Sequence, residues 1–234
     1  MLRADPFDVL DSPAAATVLR RLHKLANRQT PALLFHYLPK LLRLWTGRKM
    51  DFSEGDIKGY YADKYIALEP GQAAFCHVLA RMINARTVVE FGTSFGVSTI
   101  WLAAAIRANG GGRIISAELV PGKAEAARAN AAKAGLDDLI EVRVGDARET
   151  LRDLPENVDL FLNDGFPTFA LDILRLVQPR LRDGAVVITD NVGTLPADFS
   201  AYLGYIRDPA NGFSSTLVPF KSGTEVSTWR RQVN

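Results

Sequence analysis

The sequence predicts an α/β fold in which helices cover a mostly parallel sheet of seven strands. Strand-like and helix-like segments alternate five times between residues 86 and 208, and βα units in series form a parallel sheet. Two further strand-like segments, 213–220 and 224–231, are joined by only three residues, KSG. That connection is too short for a helical crossover, so the two strands run antiparallel and we expect one reversed strand at the sheet edge.

Each of the five βα units consists of a strand-like segment and the helix-like segment that follows it. The strand-like segments are RTVVEFG (86–92), GRIISAEL (112–119), IEVRVGDA (140–147), VDLFLND (158–164) and GAVVITDN (184–191). The helices that follow are VSTIWLAAAIRA (97–108), PGKAEAARANAAKAGL (121–136), a short one after 147, FALDILRLVQPRL (169–181) and FSAYLGYIRD (199–208). Pro121 suits a first helical turn, and Gly135 suits a C-terminal cap.

Before residue 85 the apolar residues have helical spacing. The predicted helices cover 14–29, 31–45 and 71–83, and residues 46–65 between the last two predict a loop with one short helix. We divide the chain into an N-terminal helical segment, 1–63, and a main domain, 64–234. The second helix is apolar with basic residues toward its end, which would also suit a membrane surface, but Pro39 interrupts it. A lid over a substrate site, or a contact in a homodimer, is the favoured interpretation.

Composition argues against several classes of protein. The chain has 234 residues, is 47% hydrophobic, and balances 28 Lys+Arg against 26 Asp+Glu for a net charge of +2, so it lacks the clustered basic charge of a nucleic-acid-binding protein. Acidic residues stand near the N-terminus where a signal peptide would be basic, and no apolar run of 18 residues occurs. We expect a cytoplasmic protein with no membrane partner, whose single cysteine, Cys76, is a buried apolar side chain.

Polar residues and glycines mark the carboxyl ends of all five parallel strands, where open α/β sheets bind ligands. In order along the chain they are Glu90, Gly92 and Gly96, then Glu118, then Gly145, Asp146 and Ala147, then Asp164, then Asp190 and Asn191. Each is also an ordinary turn or cap residue. Their joint occurrence at five successive strand ends favours a binding site for a small-molecule ligand.

The segments GQAAFCHVLARMINARTVVEFGTSFGVSTIWLA, SAELVPGKAEAARANAAKAGL, GDA, FLNDG and ITDNV resemble those of the class I S-adenosylmethionine-dependent methyltransferases, specifically the catechol and caffeoyl-CoA type O-methyltransferases. The resemblance covers residues 64–231 and implies a Rossmann-like, doubly wound sheet that binds S-adenosylmethionine. It assigns the methionine part of the cofactor to Glu90, Gly92 and Ser98, the ribose to Glu118, the adenine to Asp146 and Ala147, and a cofactor contact to Asp164.

The resemblance also implies a divalent cation, Mg²⁺, held by Asp164, Asp190 and Asn191. Oxygen ligands of this kind suit a hard cation, which would hold the two oxygens of a catechol-like substrate. The family commonly places a lysine as general base where this chain has Pro167. Asp164 is assigned a catalytic role, and three alternatives for the base stay open: the metal alone activates the hydroxyl, the base comes from the N-terminal region, or the chemistry is not catechol methylation. For the second alternative the candidates are Lys64, Tyr60, Tyr61 and His36, of which we select Lys64.

The predicted function is therefore methyl transfer from S-adenosylmethionine to a hydroxyl of a small aromatic or natural-product substrate, assisted by a divalent metal. A metal-independent methyltransferase and a catalytically silent cofactor-binding protein are alternatives. A nicotinamide-dependent dehydrogenase is less favoured, because GTSFG lacks the G-x-G-x-x-G fingerprint.

Overall fold

The computed structural model describes residues 5–38, 43, 46–50 and 52–231. Its centre is a seven-stranded sheet in the order β3-β2-β1-β4-β5-β7-β6. The strands are β1 Thr87–Phe91, β2 Arg113–Glu118, β3 Ile140–Val144, β4 Val158–Asn163, β5 Leu181–Thr189, β6 Phe213–Val218 and β7 Thr224–Trp229. The five predicted parallel strands and the C-terminal hairpin are confirmed.

All neighbouring pairs among β1 to β5 are parallel, whereas β7 pairs antiparallel with both β5 and β6. The expectation of a reversed strand at the sheet edge is wrong in one respect, because the reversed strand β7 lies between β5 and β6. Its residues Thr224, Glu225 and Ser227 are almost fully buried, so β7 fills an interior position while β6 forms the edge. The chain order reverses between β1 and β4, which is where doubly wound sheets open a crevice for ligands.

Helices cover both faces of the sheet. They are α1 Pro13–Tyr37, α2 Glu54–Lys58, α3 Pro70–Met82, α4 Val97–Ala108, α5 Pro121–Ala134, α6 Ala147–Thr150, α7 Pro167–Val177 and α8 Ser200–Ile206. The prediction of two helices before residue 45 is wrong over the described residues, since α1 continues through Pro31. Proline has no N–H, so the carbonyl of Asn27, four residues earlier, loses its helical hydrogen bond. Asn27 is exposed, so water can replace that bond. Pro39 lies outside the described residues.

The first half of α1 belongs to the same hydrophobic core as the sheet. Val18, Leu19 and Leu22 are buried in one cluster with Trp101 of α4, and the Trp101 indole donates a hydrogen bond to His23 Nε2 at 3.2 Å. Cys76, 1% exposed, lies in this cluster as expected. The predicted boundary at residue 63 therefore crosses a shared core, and it stays a prediction. In the ranges that the structure describes, none of the helices has the length and apolar character needed to span a membrane.

Candidate functional site

One cavity opens over the carboxyl ends of the parallel strands. Its empty space, counted out to its open mouth, is about 1090 Å³. Two sets of residues form much of its lining. The first is here called the sheet edge, because it lies at the carboxyl ends of the parallel strands; it is distinct from the edge strand β6. It consists of Gly92, Ser94, Glu118, Asp146, Asp164 and Asn191. The second, the N-terminal cover, consists of Tyr37, Phe52, Glu54, Ile57 and Ile66.

The loop after β1 brings two strand ends together. Gly92 has φ +104°, and a Cβ atom there would lie 2.7 Å from the carbonyl oxygen of Asp164. The Asp164 N–H in turn donates to the carbonyl of Phe91 at 3.0 Å. Gly92 is therefore required for the close approach of the β1 and β4 loops, in addition to lining the cavity.

Glu118, at the end of β2, lies at the cavity wall and is 7% exposed. Its Oε2 accepts from the Ser94 N–H at 2.7 Å, and its Oε1 accepts from the Val120 N–H at 2.9 Å. A carboxylate oxygen can accept more than one hydrogen bond, so both oxygens keep capacity for hydroxyl donors of a ligand. This arrangement is consistent with the predicted ribose site.

Glu90 and Ser98 are placed differently from Glu118. Glu90 is 0% exposed, and its Oε2 accepts from Thr99 and Ser116 at 2.5 Å each. Its Oε1 has no hydrogen-bond partner among the described residues, and burial raises the pKa of this carboxyl. Ser98 is also buried, in the first turn of α4. Neither residue lines the cavity, so their predicted contacts with the cofactor stay predictions.

Asp146 and Ala147, after β3, both line the cavity. Asp146 caps α6 by accepting from the Arg148 N–H at 2.9 Å, and it forms an ion pair with the Arg148 guanidinium at 2.5 Å. The hydrogen bonds from Arg148 lower the pKa of the Asp146 carboxyl. Arg148 also reaches Glu54 of the N-terminal cover at 3.1 Å, so one guanidinium connects the two sides of the cavity.

The predicted metal ligands lie at the ends of β4 and β5. Asp164 and Asn191 line the cavity, whereas Asp190 is 6% exposed and accepts from Gln72 at 2.7 Å and Ser222 at 2.5 Å. Burial, followed by the negative charges of Asp190 and Glu90, raises the pKa of Asp164 well above its ordinary value. Within the described ranges, no group of three or more His, Cys, Asp or Glu side chains is placed to hold a metal ion.

Two carboxylates and an amide nonetheless have the donor chemistry that a hard divalent cation prefers. The Asp164 carboxylate accepts no hydrogen bond from the part of the chain that the structure describes, and its charge is repelled by that of Asp190. A cation would compensate this repulsion. The residues present therefore fit a divalent cation by the chemistry of their donor atoms.

Lys64, the predicted base, does not line the cavity. Its ammonium pairs with Asp63 and lies 5.0 Å from the ring centre of Tyr60. His36 stacks on Tyr60 at 3.6 Å, and the Tyr61 hydroxyl donates to Tyr37 at 2.8 Å. The catalytic role of Lys64 stays a prediction without a contact to the cavity. Pro167, where the family commonly has lysine, is buried, starts α7 and lines the cavity.

The cavity wall also contains residues that the sequence did not indicate. Lys123 is only 6% exposed, and burial lowers the pKa of its ammonium although the charge of Glu118 opposes this. Ser94 has φ +48°, and its hydroxyl is buried without a partner among the described residues. Ser94 lies inside GTSFG, so the glycine spacing was a signal for it. Lys123 lies on a helix whose spacing gave no such signal.

A stacked aromatic pair connects the segment around residue 65, which follows the N-terminal helical segment, to the glycine-rich loop after β1. The rings of Tyr65 and Phe95 lie 3.8 Å apart with an interplanar angle of 10°. Gln29 of α1 holds the same stretch, since its side chain accepts from the Tyr65 N–H at 2.8 Å and donates to the Asp63 carbonyl at 3.1 Å. The segment beside the cavity is thus attached to both α1 and the loop after β1.

Comparisons with known proteins agree with this architecture. A family model described as a methyltransferase domain matches residues 89–192. A catechol O-methyltransferase of Mycobacterium tuberculosis is 40% identical over 128 residues, 54% of this chain and 57% of that protein. The chain spans a little over half the length of the curated relatives it matches.

Solved structures are similar over more of the chain. Cofactor-bound Rv0187 from MTB has a TM-score of 0.67 and 28% identity, covering 87% of this chain and 97% of that one. The O-methyltransferase from Bacillus cereus in complex with SAH has a TM-score of 0.65 at 22% identity, covering 89% of this chain and 100% of that one, and shows the same fold. Residues 89–192 thus match a methyltransferase domain, and the chain is similar to O-methyltransferases in part of its sequence and in its fold.

Proposed function

We propose that this protein transfers a methyl group from S-adenosylmethionine to a hydroxyl of a small aromatic molecule. The observation that carries the proposal is the composition of the cavity. Polar strand ends line one side of it and aromatic side chains line the other, so two different ligands can meet there. The Mycobacterium tuberculosis relative is named a catechol O-methyltransferase, and the Bacillus cereus structure holds SAH.

The sheet edge would bind the cofactor. The two oxygens of Glu118 accept from the ribose hydroxyls, and Asp146 with Ala147 borders the adenine. The unpartnered Ser94 hydroxyl and the loop around Gly92 contact the methionine part. Lys123 lies beside Glu118 and limits the negative charge at that end of the cavity.

The other end of the cavity would bind the acceptor. Phe52 and Phe166 lie with ring centres 5.2 Å apart, and both line the cavity together with Pro167 and Leu195. Aromatic and aliphatic walls bind a flat apolar molecule by excluding water from both faces. Pro167 contributes to this wall and has no proton to exchange, which leaves Asp164 as the polar group of the sheet edge nearest to it in sequence.

When bound, the cofactor would supply an electrophilic methyl group: the acceptor oxygen would form a C–O bond as the S–C bond breaks, the electron pair of that bond would stay on sulfur as a thioether, and the hydroxyl proton would pass to solvent water. A divalent cation, held by Asp164, Asp190 and Asn191, would lower the pKa of that hydroxyl. The walls hold the acceptor oxygen in line with the methyl group, so orientation supplies much of the rate. Asp164 lines the cavity, where its negative charge would stabilise the bound cation.

Two measurements test the proposal. Calorimetry should show binding of S-adenosylmethionine and SAH, and no binding of NAD. Methyl transfer to a panel of catechols should then occur with Mg²⁺ and decrease in EDTA. Full turnover in EDTA would establish a metal-independent methyltransferase, and cofactor binding without any turnover would favour the catalytically silent alternative. Binding of NAD alone would contradict the proposal.

We also propose that the apolar end of α1 contacts a second copy of this chain. Leu34, Phe35 and Leu38 are 66%, 77% and 58% exposed, and adjacent exposed apolar side chains are typical of interaction surfaces. Light scattering would give twice the mass of the chain for a homodimer.

A further inference from the structure

Two tyrosines of the N-terminal region form a hydroxyl pair beside the cavity. Tyr61 is 1% exposed and does not line the cavity, whereas Tyr37 is half-buried and does. The Tyr61 hydroxyl donates to the Tyr37 oxygen at 2.8 Å. Neither hydroxyl has a further hydrogen-bond partner in the part of the chain that the structure describes. Tyr61 is therefore the inner member of the pair, and Tyr37 is the member that a ligand can reach.

The direction of this bond determines what Tyr37 can do. A phenol has a single O–H donor, and the buried Tyr61 uses its donor on Tyr37. The Tyr37 oxygen is thereby an acceptor, and its own hydrogen is left to bond elsewhere. Burial raises the pKa of Tyr37, so the hydroxyl stays protonated at neutral pH and acts as a donor, not as a base.

The surroundings place this donor at the acceptor end of the cavity. The Tyr61 ring centre lies 5.3 Å from that of Phe166 and 6.1 Å from that of Phe52, the two residues assigned above to the acceptor wall. Apart from Tyr37, the described N-terminal residues that line the cavity offer Phe52, Ile57, Ile66 and the carboxylate of Glu54. Glu54 is paired with Arg148 and Lys58. Tyr37 is thus the hydroxyl donor of this wall.

We propose that Tyr37 is a specificity-determining residue, whose hydroxyl donates a hydrogen bond to an acceptor oxygen other than the one that is methylated. The preferred acceptors are then small aromatic molecules with at least two oxygen substituents. A molecule with one oxygen leaves the Tyr37 donor unpaired in an apolar wall, which costs binding energy. This inference rests on the proposed function, because it concerns the acceptor half of the same cavity.

The test compares Tyr37→Phe with Tyr205→Phe. Tyr205 is also half-buried, its hydroxyl donates to the Gln178 side chain at 2.8 Å, and it does not line the cavity. Each protein, with S-adenosylmethionine and Mg²⁺ present, is assayed with catechol, which has two hydroxyls, and with phenol, which has one. Binding of both compounds to the SAH-loaded proteins is measured by calorimetry, so that the result does not depend on turnover.

Tyr37→Phe should weaken binding and raise KM for the dihydroxy compound about 5- to 10-fold, with little change in kcat or in SAH affinity. The monohydroxy compound should bind equally well or more tightly, because the variant no longer buries an unpaired donor. Tyr205→Phe should bind and methylate both compounds as wild type does. Equal losses for both compounds would show a structural role and overturn the inference, as would no loss for either, or no preference of the wild-type protein for the dihydroxy compound. A wild-type protein that does not bind SAH at all would instead contradict the proposed function.

Discussion

The two sides of the cavity are built by different means. At the sheet edge, Glu118 ends β2, Asp164 directly follows β4 and Asp146 lies two residues after β3, so the register of the parallel strands fixes their positions. In the N-terminal cover, Tyr37 and Phe52 come from the end of a long helix and from a loop. The ring of each contacts the ring of Tyr61, and both residues pack in the same small hydrophobic cluster. The sheet edge depends on the fold itself, whereas the cover depends on the packing of particular side chains.

This difference implies that the cofactor side should respond to single polar changes and the acceptor side to changes in packing. The largest effect is expected at Glu118. Glu118→Ala removes charge-assisted hydrogen bonds to the ribose and should weaken S-adenosylmethionine binding by about 2–4 kcal/mol, roughly 30- to 1,000-fold in Kd.

Calorimetry measures this change, with Glu125→Ala as its control. Glu125 is an exposed carboxylate on the neighbouring helix α5, and its removal should leave the affinity unchanged. Wild-type affinity in Glu118→Ala would show that the cofactor does not use this strand end, and the contrast between the two sides of the cavity would lose its main support.

A change at Gly92 should affect both sides, since this residue adjoins the β4 loop. The Cβ atom of Gly92→Ala would meet the Asp164 carbonyl at 2.7 Å, and the backbone φ is +104°. Overpacking together with strain should lower the free energy of unfolding by about 2–4 kcal/mol, measured by urea denaturation. Gly122→Ala, at a site with nothing within 4 Å, should be neutral or slightly stabilising. If the two variants were equally stable, the contact between the loops would not constrain the fold.

Asp164, which lies where the two sides of the cavity meet, should make the stability of the protein depend on pH. Because burial and the charge of Asp190 raise its pKa above the ordinary value of 3.8, its contribution to stability is present below that value and is lost as the pH rises through the raised pKa. In EDTA at neutral pH, Asp164→Asn should therefore unfold at a higher temperature than wild type.

Added Mg²⁺ should reverse that order. A cation at 100 times its Kd stabilises the protein that binds it by about 2.7 kcal/mol, so Mg²⁺ should raise the Tm of wild type and leave that of Asp164→Asn unchanged. Asp172→Asn, on the exposed side of α7, serves as the control for the loss of one charge. An equal response of wild type and Asp164→Asn to Mg²⁺ would place the cation elsewhere.

Sequence patterns predicted the sheet edge well for a physical reason. Strand ends are marked by local residue types, and parallel strands bring those ends together whatever covers them. Glu118, Asp146 and Asp164 all line the cavity as expected. The resemblance assigned Glu90 and Ser98 to the cofactor, and that assignment stays a prediction, since both side chains are buried and neither lines the cavity. For Glu90 the position depends on alternation along β1, and a single strand of five residues does not show which face is open.

The N-terminal cover was less predictable, because its contacts join residues that are distant in the sequence. Selecting Lys64 as a base depended on residue type alone, while its position is determined by Asp63 and Tyr60. Tyr37 reaches the cavity only because α1 continues past Pro31, which spacing did not predict. Lys123 was missed because its burial depends on Phe95, whose ring centre lies 5.5 Å from the ammonium.

The stack of Tyr65 on Phe95 has a consequence for exchanging parts between relatives. It joins the region that would select the acceptor to the loop that would hold the cofactor, through two flat rings 3.8 Å apart. A chimaera that combines a foreign N-terminal region with this methyltransferase domain loses the fit between those rings unless both partners are transplanted together. New acceptor selectivity is then easier to obtain by varying side chains such as Tyr37 within the existing cover than by grafting a complete one. Tyr65 and Phe95 together mark the junction that any such graft has to preserve.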